Sequence, residues 1–128
     1  MGIENILSQY PRCVSRFGRD TYAEEFAHFT ECCREELASP PDDAVNELFA
    51  FIEKAQGRKF GRASRIFDLR VFLCVYLYPA AMRVGTEDAL AFAESVRARW
   101  NEIFPQSPFE AGSYEDIASG FRSKPFGL

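Results

Sequence analysis

The stretch that decides the fold is IFDLRVFLCVYLY, from Ile66 to Tyr78. It is apolar on almost every side, with Asp68 and Arg70 as its only charged residues. Its β-branched and aromatic residues would also suit a central strand. The run is longer than a typical strand and holds no turn residue, which favours a helix. A helix that is apolar all round belongs in the middle of a bundle, and Pro79 is expected to kink or end it.

Two other segments have the period of an amphipathic helix. Thr21 and Glu24 have the spacing of a capping box, and the helix that follows should end before Pro40. Its apolar residues step by three and four along one face: Tyr22, Phe26, Phe29, Cys33 and Leu37. A second run begins after Thr86 and ends at Pro105, and its apolar residues fall within about 160° of arc at helical spacing. These are Ala89, Leu90, Phe92, Ala93, Val96, Trp100, Ile103 and Phe104.

Two further helices are predicted from capping and terminating residues. Asp42 and Asp43 place carboxylates at a helix N-terminus, and Gly57 suits its C-terminal end. The apolar face of this helix comprises Val45, Leu48, Phe49 and Ile52. Ser113 and Asp116 start a short helix near residues 113–120. The sequence therefore predicts an all-α, single-domain bundle of four to five helices over residues 1–128. Its tail, residues 104–128, is rich in proline, glycine and aromatic residues and should pack across the bundle.

Composition narrows the class of protein. The chain has 128 residues, of which 47% are hydrophobic and 27% charged, which fits one globular domain with a sizeable core. The N-terminus has no basic, apolar signal segment, and the run to Tyr78 is shorter than the roughly 20 residues of a bilayer span. The four cysteines form no CxxC pair. We therefore expect a cytoplasmic protein with free thiols and no membrane contact.

The net charge of −4 is unevenly distributed along the chain. Residues 1–56 have a net charge of −6, residues 57–84 of +5 and residues 85–128 of −3. The cationic segment contains a glycine-rich stretch at the predicted start of a helix, which suits an anion-binding site formed by Arg58, Lys59, Arg62 and Arg65. The spacing does not match a P-loop or a dinucleotide motif. An alternative is that these cations pair with the acidic helices, and the acidic balance disfavours nucleic acid as a partner.

Glu25, His28, Cys32 and Glu36 step by three and four along one flank of the first long helix. A histidine and a cysteine one turn apart can present two metal ligands, so His28 and Cys32 are the candidates for a metal site. His28 is the only histidine in the chain, and we prefer a solvated helix flank, with no metal or cofactor. A catalytic Cys–His pair would need an orienting third group and an oxyanion hole. No enzymatic activity is predicted.

The chain contains 13 phenylalanines, and several aromatic residues lie where helical periodicity stops. Phe109, Tyr114, Phe121 and Phe126 could close the core of their own chain or dock on a partner. The function we predict is a protein–protein interaction or self-associating module, with a protein partner or a homo-oligomer. The alternative is an anion- or nucleic-acid phosphate-binding module that uses the basic loop, residues 58–65.

Overall fold

The computed structural model describes residues 2–15, 22–57, 68–105 and 108–109. Within these residues six helices follow one another: α1 (Glu4–Ser8), α2 (Tyr10–Ser15), α3 (Tyr22–Ala38), α4 (Ala44–Gly57), α5 (residues 68–84) and α6 (Glu87–Ile103). Helix α5 contains a π-helical segment, Val71–Leu77, followed by an α-helical one, Tyr78–Val84. The all-α bundle predicted from the sequence is confirmed, and no strand occurs in these residues.

The apolar stripe of α3 is buried as its spacing predicts. Phe29, Cys33 and Leu37 are almost completely inaccessible, and the helix ends at Ala38, just before Ser39 and Pro40. The capping box at Thr21 and the predicted helix at 113–120 lie outside the described residues, as does most of the predicted tail.

Helix α5 occupies the centre of the bundle. All residues from Val71 to Leu77 are buried, and α5 contacts α2, α3 and α6. Pro79 does not end the helix, because the chain remains helical to Val84, and a kink at this residue stays a prediction. Pro79 lies in the first turn of the α-helical segment Tyr78–Val84, where the fixed φ of proline suits the helix. Gly85, with φ of 75°, then ends α5 in the left-handed conformation.

The π-helical segment leaves one carbonyl with an unusual partner. In an α-helix the carbonyl of Val75 would accept from the N–H of residue 79, but that residue is a proline. The hydroxyl of Tyr22 donates to this carbonyl instead, at 3.0 Å. The backbone of Tyr78 donates to Leu73, five residues earlier. Helix α3 therefore supplies the hydrogen bond that the proline cannot make.

The start of α6 is fixed by Thr86, as predicted. Its hydroxyl accepts from the backbone of Ala89 at 3.0 Å and donates to the carbonyl of Ala38 at 2.7 Å. Two residues assigned to the apolar stripe of α6 are more exposed than predicted: Leu90 at 37% and Ile103 at 41%. Leu90 lies at the edge of the apolar arc, and Ile103 is the last residue of the helix.

The short helices α1 and α2 were not predicted. Ile3, just before α1, and Ile6, Tyr10 and Cys13 within the two helices step by three and four and pack into the same core cluster as the longer helices. No helix in the described part of the chain has the length and apolarity needed to cross a membrane.

Candidate functional site

The predicted cationic site falls in a part of the chain that the structure does not describe. Arg58, Lys59, Arg62 and Arg65 all lie between the end of α4 at Gly57 and the start of α5 at residue 68. The structure therefore tests neither anion binding by these four residues nor their pairing with the acidic helices, and both stay predictions.

Of the four tail aromatics, the structure describes Phe109 alone. Its ring is buried and lies 5.3 Å from the ring of Tyr78, measured between centroids. Its backbone N–H donates to the Asn101 Oδ1 atom at 2.8 Å, and the Arg70 guanidinium donates to the Pro108 carbonyl at 3.2 Å. Phe109 thus packs within its own chain. Tyr114, Phe121 and Phe126 are outside the described residues.

The flank of α3 carries the second predicted constellation. Cys32 Sγ and His28 Nε2 lie 3.4 Å apart, and both side chains are exposed. Glu25 is instead held by Arg12, whose Nε atom lies 2.7 Å from its Oε1 atom. Within the described residues, no group of three or more His, Cys, Asp or Glu side chains could hold a metal ion. The structure therefore brings two of the four residues together.

The other three cysteines are also free thiols, and all three are buried. Burial raises the pKa of the Cys33 thiol to about 12, and it raises the pKa of the Cys13 thiol further. Buried, protonated thiols are poor nucleophiles and poor metal ligands. Cys32 is the one cysteine of this chain that solvent reaches.

A cleft that the sequence did not predict lies between the N-terminal end of α4 and the C-terminal half of α6. It is open to solvent, has a volume of about 360 Å³ and is lined by Asp42, Val45, Asn46, Ser95, Arg99 and Glu102. The α6 residues recur at spacings of four and three, so they share one polar face of the helix. The two carboxylates belong to exposed residues, whereas Val45 and Arg99 are half-buried.

Arg99 is held in place by α4. Its Nη2 atom donates to the Asn46 Oδ1 atom at 3.0 Å, and its guanidinium carbon lies 5.5 Å from the centre of the Phe49 ring. This combination of a hydrogen bond and a cation–π contact fixes the side chain against the wall of the cleft. The carboxylates of Asp42 and Glu102 outnumber this single guanidinium, so the cleft has an excess of negative charge.

Sequence reasoning missed this cleft because its walls are about 50 residues apart in the chain. The spacing of Ser95, Arg99 and Glu102 predicts that they share a polar face of α6. It does not indicate which helix packs beside that face. Comparison of the chain with protein-family models, with curated proteins and with solved structures finds no match.

Proposed function

We propose that this chain is a non-enzymatic protein-interaction module, and that the cleft between α4 and α6 accepts a lysine or arginine side chain of a protein partner. The observation that carries the proposal is the lining of the cleft. Two exposed carboxylates, Asp42 and Glu102, border it, while Arg99 is already engaged by Asn46 and Phe49.

The charge of the cleft favours a basic partner. Its walls come from the two acidic parts of the sequence, residues 1–56 and 85–128, which have net charges of −6 and −3. A cationic side chain in the cleft would be attracted electrostatically by both carboxylates, and Val45 could contact its aliphatic stem. Charged pairs of this kind steer association and fix specificity more than they add affinity.

The chemistry of α3 supports a binding role over an enzymatic one. Cys32 and His28 lie within a continuous helix, where backbone N–H groups between them are used by the helix itself. A reacting carbonyl at this thiol would therefore find no pair of free backbone donors to stabilise an oxyanion. The proposal includes a cytoplasmic location, which the four free thiols support.

An NMR titration with an arginine hexapeptide amide tests the proposal. We expect the largest amide shifts in residues 42–46 and 95–102, and weaker binding at higher salt. The double variant Asp42→Asn/Glu102→Gln should lose most of the affinity. The matched control is Glu24→Gln/Glu53→Gln, which removes two exposed carboxylates outside the cleft and changes the net charge by the same amount.

Equal weakening in both double variants would show non-specific attraction to an acidic protein and would overturn the proposal. Shifts that map to other helices would overturn it as well. Sedimentation equilibrium of the full chain over a range of concentrations then shows whether a second copy can serve as the partner.

A further inference from the structure

The contact between Cys32 and His28 on α3 has a geometry that the interaction role does not use. The two residues lie one helical turn apart, both are exposed, and Sγ and Nε2 are separated by 3.4 Å. The side chain of Asn5 donates to the backbone carbonyl of Cys32, which ties α1 to this turn. Both potential ligands therefore extend from a backbone that packing already holds.

We propose that His28 and Cys32 together bind one borderline-soft divalent transition-metal ion, such as Zn²⁺, as a bidentate site on the surface of α3. Zinc bonds of about 2.3 Å to sulfur and about 2.05 Å to nitrogen, at a tetrahedral angle, place the two donor atoms about 3.6 Å apart. The observed separation is 3.4 Å. Chelation of an ion would therefore replace the thiol–imidazole hydrogen bond with little change in the separation of the two donor atoms.

The ligand types and the surrounding charge suit such an ion. Thiolate and imidazole are the donors that zinc and its neighbours prefer over the oxygen ligands of magnesium and calcium. Helix α3 carries five glutamates and one arginine, so its flank attracts cations. Arg12 and Arg34 are both drawn into ion pairs here, with Glu25 and Glu31.

Binding exchanges a proton for the metal. The Sγ–H bond of Cys32 breaks, an Sγ–metal bond forms, and the proton leaves to solvent, so the affinity increases with pH. Nε2 of neutral His28 donates its lone pair to the same ion. The remaining coordination positions face solvent, where water molecules fill them, because no third side chain in the described residues completes the set.

Titration of the full chain with Co²⁺, in the presence of a phosphine reductant, tests the site. We expect saturation at one ion per chain and a thiolate-to-cobalt charge-transfer absorption. Cys32→Ser should abolish that absorption, and both Cys32→Ser and His28→Asn should weaken binding by roughly 10²-fold, because each removes the chelate effect. Glu35→Gln, an exposed residue of the same helix, is the control and should bind as the parent chain does.

Protection from alkylation provides a second measurement that does not depend on cobalt. Iodoacetamide should modify Cys32 first, since the other thiols are buried, and Zn²⁺ should slow that reaction in the parent chain but not in His28→Asn. The proposal is overturned if no saturable binding occurs, if the absorption persists in Cys32→Ser, or if His28→Asn binds as tightly as the parent.

Discussion

Replacing Tyr22 by phenylalanine removes one hydroxyl group from the interface between α3 and α5. That hydroxyl donates to the Val75 carbonyl at 3.0 Å in a buried environment. Because residue 79 is a proline, the carbonyl has no α-helical N–H to return to when the hydroxyl is lost. Tyr22→Phe should therefore deprive a buried carbonyl of its side-chain donor, and a buried polar group that loses its partner costs about 1–3 kcal/mol.

A double-mutant cycle with Pro79→Ala tests the cause of this cost. Alanine restores an N–H at position 79, which can donate to Val75 and replace the lost hydroxyl. In the parent chain we expect Tyr22→Phe to lower the free energy of unfolding by about 2 kcal/mol. In the Pro79→Ala background the same substitution should cost less, by about 1 kcal/mol or more. Urea unfolding followed by the fluorescence of Trp100, the only tryptophan and a fully buried one, measures both values.

Tyr78→Phe is the matched control. It also removes a tyrosine hydroxyl, but the partner, Glu94, is an exposed carboxylate that water can solvate. Its cost should be below about 0.5 kcal/mol. If Tyr22→Phe costs no more than Tyr78→Phe, or if the effects of Tyr22→Phe and Pro79→Ala simply add, the hydroxyl does not compensate for the proline and the reasoning fails.

Three further changes probe the ends of the helices and the core. Thr86→Val keeps the size of the side chain but loses both its hydrogen bonds, so it should lower stability by about 1–2 kcal/mol in urea; a stability equal to that of the parent would contradict the capping role. Raising the pH should destabilise the fold between about pH 9 and the raised pKa of Cys33, about 12, because the unfolded chain loses this thiol proton first; the slope is at most about 1.4 kcal/mol per pH unit for each such group. Cys33→Ala should reduce that slope, and an unchanged slope would assign the effect to other groups. Phe109→Ala should destabilise the chain by about 3 kcal/mol, because it empties a buried site beside Tyr78, and a thermal melt unchanged by this variant would show that the tail adds nothing to the core.

The long helices could be predicted because their signals are local and repeated. In α3 five residues from Tyr22 to Leu37 share one face, and in α6 Thr86 and Pro105 mark both ends. Burial of these stripes agrees with the periodicity almost residue by residue. The pattern is reliable here because each helix spans several turns, so the apolar face is sampled many times.

Pro79 and the N-terminal helices show where local signals are insufficient. Whether a proline ends a helix depends on whether the carbonyl it leaves unpaired finds another donor, and that donor, Tyr22, is 53 residues away. Helices as short as α1 and α2 are unstable in isolation, so their existence depends on Ile3 and Ile6 reaching the core. Neither condition is visible in a short window of sequence.

The candidate sites divide in the same way. The contact of His28 with Cys32 follows from helical spacing alone, because residues four apart lie on the same side of any α-helix. The cleft does not follow from helical spacing, because Asp42 and Glu102 line the same cleft only after α4 packs on α6. Their residue types gave no warning, because carboxylates on exposed helix faces are ordinary.

The abundance of phenylalanine bears on which surface can recognise a partner. In the described parts of the chain no phenylalanine, tyrosine or tryptophan side chain is exposed, and the large exposed apolar residues are Met82, Leu90 and Ile103. The rings are used instead in edge-to-face contacts around α5, such as Tyr10 with Phe72 at 5.3 Å between centroids. Replacing these aromatics would therefore change folding stability, whereas exchanging the cleft carboxylates would test the proposed binding. Recognition by the described surface should depend on charge, and its dependence on salt separates it from an association driven by apolar area.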